Sequence, residues 1–346
     1  MSYKVIKKLP EMDVLLKDIT LSDNGLASIR QHRLEIENIL SGQDDRLLLV
    51  VGPCSAWPNT AVLAYAKKLL QLNEKVKDKL KLIMRVYIQK PRTIKGWTGP
   101  VNQPNPLATP DIEAGIRYCR ELMINVVEMG LPIADEALFT HNSRGFLELL
   151  SWVAIGARSG EDQEHRIFAS SLDLPVGIKN PTHGSLKVGV NSILAAQHQH
   201  VAVFDGYEIE TDGNPYAHLV LRGGDGLPNY GVDFITEARD YLIKNEAVNP
   251  AIVVDVSHDN CLINGKKDFR AQADIILEVL DSIKDRPELK KVVRGFMLES
   301  FLKEGNQNIE TVENVDLNGL SITDPCLGWE QTENLILDLR RKVMAK

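Results

Sequence analysis

The sequence has no stretch approaching the roughly 18 apolar residues of a membrane-spanning helix. It also has no low-complexity tract and no short-period repeat, which removes fibrous and linker-like architectures. Cysteine is scarce. Cys54, Cys119, Cys261 and Cys326 are widely separated and form no CxxC pair, arguing against a zinc finger or a disulfide scaffold and for a reducing compartment. Positive charge is not in excess either: 40 Lys and Arg stand against 47 Asp and Glu, a net charge of -7. Nothing overall attracts nucleic acid or an anionic membrane, so an anionic ligand would have to meet a local cationic cluster. Met1 to Leu9 carries Lys4, Lys7 and Lys8 but neither the apolar core nor the cleavage site of a secretion signal, leaving cytoplasmic residence as the default.

What is present is the composition of a globular chain, 44% hydrophobic and 25% charged, able to bury a core. Short aliphatic runs alternate with helical patterns, as in parallel strands joined by helices. Eight runs read as strands: Leu47 to Pro53, Leu82 to Tyr87, Leu131 to Glu136, Val153 to Arg158, Pro175 to Asn180, His218 to Gly223, Ile252 to His258 and Val292 to Glu299. Helical patterns cover Thr60 to Val76, Pro110 to Met129, Arg144 to Ser151, Lys187 to Gln197, Asp233 to Asn245 and Phe269 to Ile283. This alternation predicts an α/β fold, a (β/α)8 TIM barrel over 47–346, with a short β-hairpin inserted near 200–217. Residues 1–46 form an N-terminal extension with one helix near Leu26 to Leu40, ending at a Ser41-Gly42 cap.

In such a barrel the chemistry sits where the strands end. Six cations stand there, Arg85, Lys90, Arg92, Arg158, Lys179 and Arg222. Crowded on one face of an acidic protein they would repel one another without anions between them, and guanidinium forks match phosphates and carboxylates. Singly, each is more often a solvated charge; the repeated placement favours function. Cys54, His258 and Glu299 end other strands, with Asp324 after the last. Together they are a mixed soft and hard donor set suited to Mn, Fe, Co or Zn, although a lone buried Cys is usually a small hydrophobe.

Several motifs in order resemble the type I 3-deoxy-D-arabino-heptulosonate 7-phosphate (DAHP) synthases of bacteria and fungi: Gly52-Pro53-Cys54-Ser55, Lys90-Pro91-Arg92-Thr93, Ala154-Ile155-Gly156-Ala157-Arg158, Leu221-Arg222-Gly223-Gly224, Ser257-His258, Glu299-Ser300 and Ser321-Ile322-Thr323-Asp324. The resemblance implies a transferase that condenses phosphoenolpyruvate with erythrose 4-phosphate at the start of the shikimate pathway. It implies that Arg85, Lys90, Arg158, Lys179 and Arg222 hold phosphoenolpyruvate, and that Lys90, Arg92 and Thr93 meet the sugar phosphate. Cys54, His258, Glu299 and Asp324 match the family's metal ligands for a divalent ion, Mn2+ foremost with Fe2+, Co2+ or Zn2+ as alternatives. Lys90, Glu136, Lys179 and His258 are the candidate catalytic residues. A homodimer or homotetramer is expected, with the N-terminal extension between subunits.

The chain departs from the family at Ser159-Gly160, at Pro181 and His183, and in a longer loop after His258. Four residues without an acid precede Val5, Phe139 to Arg144 differs, and Phe168 stands where a smaller aliphatic residue is usual, so feedback control is expected to be absent or altered. Competing readings are a sibling synthase using another aldose phosphate, a Schiff-base aldolase working through Lys179, and a non-catalytic binder of phosphorylated metabolites. The Lys90-Pro91-Arg92-Thr93 run argues against the first, and retention of all four metal-type residues against the last.

Overall fold

The computed structural model describes residues 2–92, 96–138, 144–204, 206–263 and 265–344. Each of the eight aliphatic runs overlaps a strand: β1 (Leu47–Gly52), β2 (Leu80–Arg85), β3 (Ile133–Ala137), β4 (Trp152–Ile155), β5 (Val176–Lys179), β8 (Ala217–Leu221), β9 (Ile252–Asp255) and β12 (Val293–Glu299). They close a barrel in the order β1-β12-β9-β8-β5-β4-β3-β2. Every neighbouring pair is parallel. Burial on both faces explains why the runs read as continuous aliphatic sequence rather than alternating with polar residues. Alternation instead sorts side chains between two apolar layers. Leu48 and Val50 join the inner cluster with Ile83, Ala154, Val220 and Met297. Leu49 and Val51 join the outer cluster against the helices.

The helices are α1 (Met12–Asp18), α2 (Asp23–Ser41), α3 (Asn59–Val76), α4 (Ile112–Glu128), α5 (Gln163–Ser170), α6 (Leu186–Gln197), α7 (Val232–Lys244), α8 (Ala271–Ser282), α9 (Pro287–Lys290) and α10 (Trp329–Met344). Helix α2 ends as expected, with Gly42 at φ 80° in the left-handed region and its N–H returned to Asn38 and Ile39 carbonyls. Ile36, Ile39 and Leu40 share the inner cluster with Leu48 and Ala251, so α2 closes the end of the barrel where the strands begin. The inserted hairpin is β6 (Val201–Phe204) with β7 (Tyr207–Glu210), and a second, unexpected one pairs β10 (Leu262–Ile263) with β11 (Lys266–Lys267). Among the described residues no helix is long and apolar enough to cross a membrane.

Three expectations need correction. The helix expected over Arg144 to Ser151 is only a 3-10 turn at Leu147–Leu149. Its carbonyls are taken from outside, Leu147 and Leu150 by Arg33 of α2 and Gly145 by Arg120 of α4, so helical bonding has no advantage there. Several strand runs were drawn too long at their ends: β9 stops at Asp255 rather than His258, and β4 at Ile155 rather than Arg158. The chain leaves the ladder there to form the rim, and His258 takes φ 55°. Finally, α1, α5, α9 and α10 were left out: α1 is a second helix in an extension expected to hold one, α5 is a short polar helix capped by Asp162, α9 is a single turn before β12, and α10 lies beyond the last strand run.

Candidate active site

The rim begins with Gly52 at φ 153°, where a Cβ would lie 2.9 Å from the Arg85 carbonyl oxygen. Only glycine lets the ends of β1 and β2 approach this closely. Arg85 is fully buried, donates from Nε to the Pro53 carbonyl (3.3 Å) and from Nη2 to Glu299 Oε1 (3.1 Å), and lies 4.0 Å over the Tyr87 ring. Its Nη1 is buried without a protein partner, and so is Glu299 Oε2. Buried polar atoms are normally paired, so a cation and an anion each left with one unused atom mark a place for ligands of both signs.

Donor atoms of Cys54, Glu299 and Asp324 lie within 4.8 Å of one another. Gln272 of α8 fixes the end of β12 by bonding both the N–H and the carbonyl of Glu299, and Ser55 ties the Cys54 turn to Thr323 (3.0 Å), next to Asp324. Two carboxylates and a sulfur held this closely fit a borderline divalent cation. His258 falls outside that close group but lines the same cavity. Its Nδ1 sits 2.7 Å from Ser257 Oγ and 2.9 Å from Asp255 Oδ2, which leaves Nε2 as the ring nitrogen able to serve as a ligand.

The cavity, about 540 Å³, is lined by all six expected cations, Arg85, Lys90, Arg92, Arg158, Lys179 and Arg222, and by Cys54, Glu136, His258 and Asp324; Glu299 is buried next to Cys54 and Asp324. Thr93 lies outside the described residues. Lys90 Nζ donates to the Cys54 carbonyl at 2.8 Å. Lys179 reaches both Glu136 (3.4 Å) and Asp255 (3.5 Å).

Burial and the Glu299 charge push the Cys54 thiol up, with Lys90 acting the other way. Burial would also raise Glu136, yet Lys179, Lys90 and His258 hold it below the usual carboxylate range. Asp324 is held far lower than usual because Lys267 and Lys90 outweigh its burial. The site thus keeps its carboxylates ionised among cations.

Residue-by-residue reading missed four neighbours of the site. Asp255 lies within the Ile252 to His258 run, where it had no role, and proves to bridge Lys179 and His258. Asp135, pushed up to about 8 by burial, accepts the Ile88 N–H at 3.1 Å and so steadies the loop to Lys90. Asp259 pairs with Arg222, and Lys267 with Asp324; the one signal for either was the longer loop after His258.

Residues 22–336 match the profile of the DAHP synthetase I family. The chain is 40% identical over 349 residues to the Phe-sensitive phospho-2-dehydro-3-deoxyheptonate aldolase of Escherichia coli (strain K12), covering 99% of this chain and 97% of that protein. It is 39% identical over 320 residues to the Tyr-sensitive enzyme of Salmonella typhimurium, covering 91% and 87%. Among solved structures, the phospho-2-dehydro-3-deoxyheptonate aldolase of Francisella tularensis SCHU S4 superposes with a TM-score of 0.92 at 35% identity, covering 99% of each chain.

Proposed function

The chain belongs to the DAHP synthetase I family, and we infer from that membership that it is an enzyme condensing phosphoenolpyruvate with erythrose 4-phosphate to give DAHP and phosphate, the first step of the shikimate pathway. Members of the family generally depend on a metal ion, and for this chain the ligands would be Cys54, His258, Glu299 and Asp324, with Mn2+ the leading ion and Fe2+, Co2+ or Zn2+ as alternatives. The observation that carries this reading is the close group of Cys54, Glu299 and Asp324 donor atoms within 4.8 Å, set at a cavity whose described lining holds seven Lys and Arg residues.

Carbon 3 of phosphoenolpyruvate attacks the aldehyde carbon, water adds at carbon 2, and phosphate leaves by C–O cleavage. Bound metal supplies a Lewis acid that polarises the aldehyde oxygen. Arg85, Arg158, Lys179 and Arg222 hold the phosphate and carboxylate of phosphoenolpyruvate, and Arg92 with Thr93 takes the sugar phosphate. Lys90 gives the aldehyde oxygen its proton. Glu136, kept ionised beside Lys179, orients the attacking water. His258 is held through Nδ1 so that Nε2 stays available. A cytoplasmic homodimer or homotetramer, with the N-terminal extension between subunits, completes the reading.

The test is phosphate release from phosphoenolpyruvate with erythrose 4-phosphate, repeated after EDTA and after each divalent ion is restored. Activity should vanish with chelation and return with Mn2+. Full activity in excess EDTA would overturn the metal assignment.

A further inference from the structure

The segment from His258 to Lys267 places two opposite charges against two site residues of complementary sign. Asp259, in the 3-10 turn His258–Cys261, meets Arg222 through Oδ2 to Nη1 at 3.0 Å and Oδ1 to Nη2 at 3.5 Å, and its Oδ2 also accepts the Gly226 N–H at 3.4 Å. The guanidinium edge that a substrate anion would grip is therefore already engaged by a carboxylate, while Arg222 Nε is buried and unpaired. Eight positions on, β11 brings Lys267 Nζ within 2.9 Å of Asp324 Oδ2. That ammonium stands beside the oxygen of a candidate metal ligand. The two hairpin strands are cross-paired Leu262 with Lys267 and Ile263 with Lys266, which fixes where the ammonium falls.

We propose that this one segment carries the site's own counter-ions, Asp259 for Arg222 and Lys267 for Asp324, so that an anionic substrate and a divalent cation each bind by displacing an internal partner. The arrangement keeps a cation-rich, carboxylate-rich cavity neutralised before ligands arrive, at the cost of affinity for both. Both pairs are partly exposed, with side-chain exposures of 10% and 27% for Arg222 and Asp259 and of 27% and 49% for Lys267 and Asp324, so exchange with a ligand from solvent needs no unfolding.

The inference rests on the reading above in which Arg222 holds the substrate anion and Asp324 the metal. Calorimetric titration of the full-length, EDTA-stripped chain with phosphoenolpyruvate and, separately, with Mn2+ tests it. Asp259→Asn should bind phosphoenolpyruvate about two- to fivefold more tightly than the unsubstituted chain, and Lys267→Gln should bind Mn2+ more tightly by a similar factor, the range to which a partly exposed ion pair converts. Asp259→Ser and Lys267→Met replace them if either amide lowers the unfolding temperature. Arg222→Ala and Asp324→Asn serve as references. If those two leave both affinities unchanged, the site reading fails and this proposal with it. If they weaken binding while either counter-ion variant shows no gain, the proposal alone is overturned.

Discussion

Lys90 Nζ lies 3.2 Å from Cys54 Sγ and 2.8 Å from its carbonyl oxygen, so one ammonium holds both ends of the same residue. A thiol that burial and Glu299 push up is thereby kept beside a cation that favours its thiolate. Cys54→Ala should lose bound metal and lower turnover by more than the roughly 10- to 100-fold typical of an outer-shell change. Metal content by mass spectrometry together with phosphate release decides it, and a variant with full metal occupancy and near-normal turnover would exclude Cys54 as a ligand.

Arg92 and Arg158 line the same cavity, and in the proposed function the first takes the sugar phosphate and the second phosphoenolpyruvate. Both residues are exposed. Arg92→Ala should raise KM for erythrose 4-phosphate about tenfold and leave that for phosphoenolpyruvate nearly unchanged, whereas Arg158→Ala should do the reverse by a similar factor. Steady-state kinetics with each substrate varied in turn checks the split. Equal shifts in both constants for both variants would remove it.

Inside the barrel, His218 accepts the Trp152 indole N–H at Nε2 (3.1 Å) and its Nδ1 lies 2.8 Å from the Tyr216 carbonyl, which sets the neutral tautomer with the proton on Nδ1. A second proton at Nε2 would face the indole N–H. Burial therefore lowers this histidine from 6.5 to about 4, with the Tyr216 carbonyl acting weakly the other way. In that window the unfolded chain binds the proton and the folded chain does not, so stability is intact above pH 6.5 and falls as pH drops towards 4. The loss is roughly 3 kcal/mol for this group, and His32, also lowered to about 4 by burial and Lys81, adds to the same limb. Urea midpoints across this range should fall less steeply for His218→Gln than for the unsubstituted chain. Parallel curves would show that His218 contributes nothing.

Much of this was legible from sequence because burial on both faces leaves strands as unbroken aliphatic runs, and because functional residues follow those runs directly. Leu47 to Gly52 announces both β1 and the place of Cys54. Rim pairings were less legible. That Asp255 would bridge Lys179 and His258 depends on the left-handed turn at His258, which no residue pattern signals. Lys267 reaches Asp324 across 57 positions only because a two-residue strand pairing turns it back to the cavity. The missing helix before β4 has the same cause in reverse, since two distant arginines took the carbonyls that a helix would have used.

Response to aromatic amino acids is expected to set this chain apart from relatives whose names record sensitivity to Phe, Tyr or Trp. In the family it resembles, acidic residues near the N-terminus meet the effector's ammonium group. The acids that could take that part here are already engaged within the chain: Glu11 pairs with Lys8 at 2.9 Å, and Asp13 pairs with Arg144. Lys7 nearby faces Asp111 and Glu113, which occupies two further carboxylates. Phe168, on α5, is buried and fills volume where a smaller aliphatic residue would leave room, while residues 139–143 of the divergent run lie outside the described residues. Loss of a charge-assisted partner for the ammonium lowers affinity roughly ten- to a hundredfold. Titration of the purified enzyme with Phe, Tyr and Trp separately should leave phosphate release nearly unchanged at sub-millimolar concentrations. Strong inhibition by any one would mean that Glu11 or Asp13 gives up its present partner to the effector, and Lys8→Ala should then sharpen that inhibition by freeing Glu11.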